Sequence, residues 1–275
     1  MEAMLIVNNR QGKTKNMKRN QDVVRDRRAE KRANKNKNQI QKEKHSNDRL
    51  NNIIPLAAKN QTQKQGLKAL SEKQLVILLG SAGTGKTELM CWHTSARWLK
   101  NEIDNIFVTR PYKVLGDDYG AIPGNDFEKL LPFTMSALLK YKKYLGVGVL
   151  KNMLRTEDIE LLFSEKSGMF VLPVEKMQGY SIDERSTICL DEGQNMTINQ
   201  AKSLVTRAER GCQVIIAGDI TQSALGKNNG LSYLLEKIKD NPHPDIEVIE
   251  FGSSENCREG ISKHFTAIFE KDGQW

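Results

Sequence analysis

The sequence predicts an α/β fold: a mostly parallel sheet of five or six strands with helices on both faces. Two observations predict it. Short apolar runs at residues 75–79, 106–109, 170–172, 187–190, 214–217 and 246–251 alternate with longer stretches of helical composition. That is the pattern of βαβ units whose strands are covered on both sides. Three of those runs end at a glycine or an acidic residue, Gly80, Asp191 and Gly218, and open parallel sheets gather ligand-binding residues at the carboxyl ends of their strands.

The chain does not begin with that pattern. Residues 1–49 hold 15 Lys or Arg against 6 Asp or Glu, whereas the rest of the 275 residues hold 27 against 28. The net charge of +8 therefore belongs to the N-terminal segment. That segment has too few apolar side chains to offset the entropy of ordering it, so a disordered basic arm at 1–49 and a globular domain at 50–275 are expected. Clustered cations release counterions from a nucleic-acid backbone, which suits the arm to RNA or DNA. With no aromatic residue interleaved to stack on bases, a tail that only keeps the chain soluble fits the same composition. Residues 1–7 lack the basic flank of a secretory signal, and no apolar run approaches the roughly 20 residues of a membrane span. Cys91, Cys189, Cys212 and Cys257 form no CxxC pair and read as reduced thiols. A soluble, cytoplasmic protein without membrane association is the expectation.

The first strand run leads into Gly80-Ser81-Ala82-Gly83-Thr84-Gly85-Lys86-Thr87, which fits G-x-x-x-x-G-K-[ST], and Glu88 then opens a helical stretch. Strand, glycine loop and helix start in that order aim backbone N–H groups at phosphate oxygens, so residues 80–88 are the candidate nucleotide-binding set. Lys86 is suited to neutralising terminal phosphates and the Thr87 hydroxyl to ligating Mg²⁺. The second run ends in Thr109-Arg110-Pro111. Residues 111–169 carry glycines and prolines at 116, 120, 123, 124, 132, 146 and 148 and are expected to form loops and short helices, a lid or partner surface between strands.

The fourth run ends in Asp191-Glu192. Asp191 is the candidate metal carboxylate and Glu192 the candidate base that polarises an attacking water. A glutamate in that place favours hydrolysis over phosphate transfer to a small molecule. The fifth run ends in Gly218-Asp219-Ile220-Thr221-Gln222. Gln222 is a candidate γ-phosphate sensor, and Asp219 either faces the same crevice or only caps the turn that follows.

Together with Ile122-Pro123-Gly124 and the box Asp191-Glu192-Gly193-Gln194-Asn195, these segments resemble the PhoH-like family of P-loop ATPases, related to the cores of superfamily 1 helicases. The resemblance runs from about Gln63 to about Arg258. It implies a RecA-like P-loop NTPase fold and a Mg²⁺-dependent ATPase, turning ATP into ADP and phosphate, coupled to single-stranded RNA or DNA as a helicase or translocase. An ATP-dependent switch or nucleic-acid-binding protein that unwinds nothing is the alternative. ATP and Mg²⁺ are the implied cofactors, and a homo-oligomer, a hexameric ring, is the implied assembly. Gln63 stands where the family carries an adenine-reading glutamine, since an amide can pair with N6 and N7 of adenine; capping of the next helix is its simpler reading. Arg110 falls near the phosphates or the nucleic-acid path. Arg258 matches a late arginine that stabilises γ-phosphate charge, in cis or from a neighbouring subunit, with Glu255 or Glu259 as plain ion-pair alternatives. Lys86, Glu192, Gln222 and Arg258 are thus the expected catalytic set.

The sequence departs from the family twice. Gly193 replaces an alanine of the usual D-E-A-Q-N box and is expected to loosen the start of the next helix by up to about 1 kcal/mol. Met177-Gln178-Gly179-Tyr180-Ser181 stands where the family carries M-R-G-R-[ST], so both arginines are absent; this leaves nucleotide binding intact and counts against helicase-type coupling.

Overall fold

The computed structural model describes residues 53–111, 124, 126–155, 168–179 and 182–271. The basic arm expected at 1–49, the Ile122-Pro123 pair, Tyr180 and Ser181 lie outside the described residues.

The globular part opens with helix α1 (Gln61–Glu72), whose first turn is closed by Asn60: its side-chain oxygen accepts from the Gln63 N–H at 2.8 Å, filling one of the donors a helix start leaves unpaired. There follow β1 (Leu75–Gly80), α2 (Lys86–Leu99), β2 (Asn105–Arg110), α3 (Asp126–Leu145), α4 (Val147–Met153), β3 (Leu154–Arg155), β4 (Gly168–Pro173), β5 (Ser186–Leu190), α5 (Ile198–Arg207), β6 (Gln213–Gly218), α6 (Gly230–Asp240), β7 (Ile246–Phe251) and α7 (Gly260–Lys271). The strands form one sheet in the order β3-β4-β2-β5-β6-β1-β7, and every pairing is parallel. The α/β class is as expected, with seven strands in place of five or six because the two-residue β3 adds an edge beside β4.

Alternation along each strand builds two apolar layers. Val76 and Leu78 of β1 join Leu89, Met90, Ile106, Leu138 and Tyr141 on the face covered by α1 to α4. Ile77 and Leu79 join Ile188, Ile216, Leu204 and Leu231 on the face covered by α5 and α6. Each such side chain, taken fully out of water, stabilises the fold by about 1.5–3 kcal/mol.

Two expectations change. Residues 111–169 are not only loops and short helices, since α3 runs for 20 residues with Pro132 inside it. A helix-interior proline costs about 3 kcal/mol. Here Leu130, Thr134, Ala137, Leu138, Tyr141 and Leu145 recur at helical spacing and are all buried, and that packing outweighs the loss. Gly193 does not weaken a helix either: it begins a separate 3-10 turn, Gly193–Asn195, and α5 starts later behind a complete capping box at Thr197 and Gln200.

The topology places the site. β6 lies between β1 and β5, so the loop after β1, the acidic pair after β5 and the Gly218-Asp219 turn after β6 converge at one end of the sheet. Among the described residues no helix is long and apolar enough to cross a membrane.

Candidate functional site

A cavity of about 510 Å³ opens at those strand ends, and Gln63, Lys86, Thr87, Asp191, Asp219 and Arg258 are part of its lining. The loop between β1 and α2 is shaped by glycines. Gly83 has φ +90°, and a Cβ there would stand 2.4 Å from Asn256 Oδ1; Gly85, also left-handed at φ 97°, turns directly into α2 without a side-chain cap. The close approach at Gly83 seats the segment after β7 on the loop, where Cys257 N donates to the Gly83 carbonyl at 2.9 Å. Sequence reasoning found no role for Asn256 or Cys257, because that contact joins segments far apart in the chain.

Lys86 is buried, and its ammonium donates to the carbonyls of Gly80 at 2.6 Å and Ser81 at 2.9 Å. Burial lowers its pKa, and the charges of Asp219, Asp191 and Glu192 work against that shift. The Thr87 hydroxyl donates to Asp191, 3.3 and 3.2 Å from the two carboxylate oxygens. Burial raises the Asp191 pKa, and the neighbouring Glu192 charge raises it further. A hydroxyl and a carboxylate side by side are oxygen donors of the kind a small hard cation takes. Ser81 Oγ and Asp219 Oδ2 are buried without a hydrogen-bond partner, and buried polar atoms of that kind call for a polar partner. The residues therefore fit a phosphate ester and Mg²⁺.

Glu192 has φ 58° and ψ 41°, left-handed for a residue with a side chain. Its carboxylate faces Arg110 Nη2 at 3.9 Å and accepts from Gln194 Nε2 at 2.6 Å. Arg110 also donates to the Phe133 carbonyl at 2.8 Å, which ties the end of β2 to α3. Asp219 does both things considered for it. One oxygen caps the turn, accepting from Thr221 N at 3.0 Å and Thr221 Oγ1 at 2.6 Å, while the residue lines the cavity, as does Gln222.

Gln63 does not cap α1; Asn60 does. The Gln63 amide is buried, donating to the Thr84 carbonyl at 3.0 Å and the Cys257 sulfur at 3.3 Å while accepting from Lys59 N at 2.9 Å. Arg258 is exposed; its guanidinium lies 3.5 Å from Ser262 Oγ. Glu88 turns toward α3, accepting from Lys143 at 2.5 Å and from the Tyr144 hydroxyl, with Lys140 at 3.6 Å. Burial acts to raise its pKa, but these partners prevail and hold it low. The residue 111–169 insert thus supplies a wall of the cavity through Ser136, Lys140 and Lys143.

A family profile described as "PhoH-like protein" matches residues 55–270. Protein PhoH of Escherichia coli strain K12 is 31% identical over 209 residues, covering 75% of this chain and 56% of the relative. A PhoH-like protein of Bacillus subtilis strain 168 is 28% identical over 218 residues, covering 78% and 64%. The chain thus spans a little over half the length of these relatives. Among solved structures, the large terminase of bacteriophage HK97 aligns with a TM-score of 0.49 at 14% identity, covering 81% of this chain and 49% of that one.

Proposed function

This chain belongs to the PhoH-like protein family, and from that premise we propose that it binds ATP with Mg²⁺ in the cavity at the end of β1 and hydrolyses it, with turnover coupled to single-stranded RNA or DNA. The observation that carries the reading is the Thr87 hydroxyl lying 3.2 Å from Asp191 Oδ2 in a cavity that Lys86 and Glu192 also line. Loop amides and Lys86 would hold the phosphates. Thr87 and Asp191 would hold Mg²⁺, which supplies charge neutralisation at the terminal phosphate oxygens. Glu192 orients the attacking water and takes its proton. Gln222 reads the terminal phosphate, and Arg258, exposed beside the cavity, adds positive charge there in its own subunit or a neighbouring one of a homo-oligomeric ring. Leu56, Ala57 and Lys59 line the cavity together with Gln63, which suits that end to a purine base.

The 15 Lys and Arg of residues 1–49 and the family's kinship with helicase cores support the coupling to nucleic acid. The test is steady-state ATP turnover with Mg²⁺ or excess chelator, with and without single-stranded RNA and DNA, alongside a strand-displacement assay. Turnover that needs Mg²⁺ and rises with a single strand supports the whole reading. Turnover indifferent to every strand, with no displacement, leaves an ATP-dependent switch.

A further inference from the structure

The box after β5 and the loop after β6 are joined through one side chain. Gln194 is 1% exposed. Its Oε1 accepts from Asp219 N at 3.0 Å, and its Nε2 donates to Glu192 Oε2 at 2.6 Å. An amide has one accepting and one donating end, and each end here serves a different part of the cavity. Two further bonds run alongside: Ser223 Oγ donates to the Gln194 carbonyl at 2.8 Å, and Ala224 N donates to Asn195 Oδ1 at 3.1 Å. Gly218 makes the approach possible, because a Cβ there would lie 2.9 Å from Gln194 Oε1. Glu192 itself has a left-handed backbone, a conformation that a side-chain-bearing residue keeps only where its surroundings hold it.

We propose that Gln194 is a positioning residue that locks the aim of the Glu192 carboxylate to the loop bearing Asp219 and Gln222. Movement of that loop and orientation of the base then become one event. This deepens the hydrolytic reading above and rests on it. A loop that senses the terminal phosphate through Gln222 pulls on Asp219 N, hence on the Gln194 amide, hence on Glu192. Misplacing a reacting group by about 1 Å costs about a hundredfold in rate, so the link sets whether the base is competent.

Two substitutions separate positioning from bracing. Gln194→Met removes both bonds. Gln194→Glu keeps an oxygen that accepts from Asp219 N but, once ionised, meets Glu192 with no donor, so it is assayed as a function of pH up to where the two carboxyls no longer share a proton. Single-turnover hydrolysis, KM for ATP, binding of a fluorescent ATP analogue and thermal melting are measured for each, and for Gln194→Met combined with Glu192→Gln. The expected result is a 10- to 100-fold loss of rate in both single variants, with KM and analogue affinity within about threefold of the parent. The double variant is expected to be no slower than Glu192→Gln alone, since residues acting as one unit do not add their losses. Wild-type rate in Gln194→Glu would overturn the proposal, leaving the amide as a brace for the Asp219 backbone. So would losses that multiply in the double variant. If Gln194→Met does not fold, Gln194→Glu decides alone. Undiminished turnover by Glu192→Gln is a different failure, that of the hydrolytic reading, and it removes this proposal with it.

Discussion

Thr87 and Asp191, 104 residues apart in the chain, meet across the end of β6, with the threonine hydroxyl 3.2 and 3.3 Å from the two carboxylate oxygens. The pairing brings a hydroxyl from the first turn of α2 against a carboxylate that burial and the Glu192 charge hold above its usual pKa.

A carboxylate whose folded pKa is raised loses stability as pH climbs through that value, so at neutral pH the Asp191 charge is a cost to the fold. Asp191→Asn keeps an acceptor for Thr87 and for the Glu192 N–H while removing the charge. It is expected to melt at a higher temperature than the parent and to lose about a hundredfold or more in turnover. Calorimetry at pH 7 beside an ATPase assay checks both; a lower melting temperature would mean that the Asp191 charge is no cost to the fold.

Gly83→Ala places a methyl where Asn256 Oδ1 stands 2.4 Å away, at φ +90°. The segment carrying Asn256, Cys257 and Arg258 must lift off the loop. A loss of about 1–3 kcal/mol in unfolding free energy is expected, together with weaker binding of a fluorescent ATP analogue. Denaturant titration and equilibrium binding measure the two, and unchanged stability would show that the segment is not seated on Gly83.

Gly193→Ala is decided by packing, since Gly193 opens a 3-10 turn and lies outside the helix that follows. The added methyl meets Ile216 Cγ2 at 2.6 Å and Leu190 Cδ2 at 3.2 Å, and overpacking of that kind costs about 1–3 kcal/mol. Destabilisation is the expected sign in a urea titration. A stabilised variant would mean that the layer beneath Gly193 yields freely.

His93 gives the fold a pH dependence away from the cavity. Burial, with Arg97 and Lys100 adding repulsion, lowers its pKa from 6.5 to about 4, although its bond to Gln213 at 3.0 Å favours the charged form. Between those values the unfolded chain binds the proton that the folded chain refuses, so stability is full above pH 6.5 and falls as pH drops toward 4. The contribution is about 3 kcal/mol at most. His93→Gln is expected to flatten that part of the stability profile in urea titrations from pH 7 to pH 4.5; parallel profiles for parent and variant would contradict it.

The sequence showed most of what is local. The apolar runs marked β1, β2 and β4 to β7, and the glycine loop, Asp191-Glu192 and Gly218–Gln222 segments lie where strand ends were expected. The two-residue β3 carries no pattern to read. Helix α3 was hidden because glycine and proline near its ends, with Pro132 inside it, outweighed in composition a buried stripe from Leu130 to Leu145. What could not be read was contact between distant segments. Gln194 belongs to a box by its neighbours, but its link to Asp219 exists only once β5 and β6 lie side by side. Gln63, likewise, is a loop brace only because α1 packs beside the phosphate loop.

Glu192 is the proposed base of an ATP hydrolysis centred on Lys86, Thr87 and Asp191. The direct measurement is ATP turnover by the full chain and by Glu192→Gln, with the affinity for a fluorescent ATP analogue measured in parallel. A loss of about a hundredfold or more in turnover with affinity preserved is the predicted result. Turnover by Glu192→Gln equal to that of the parent would contradict it.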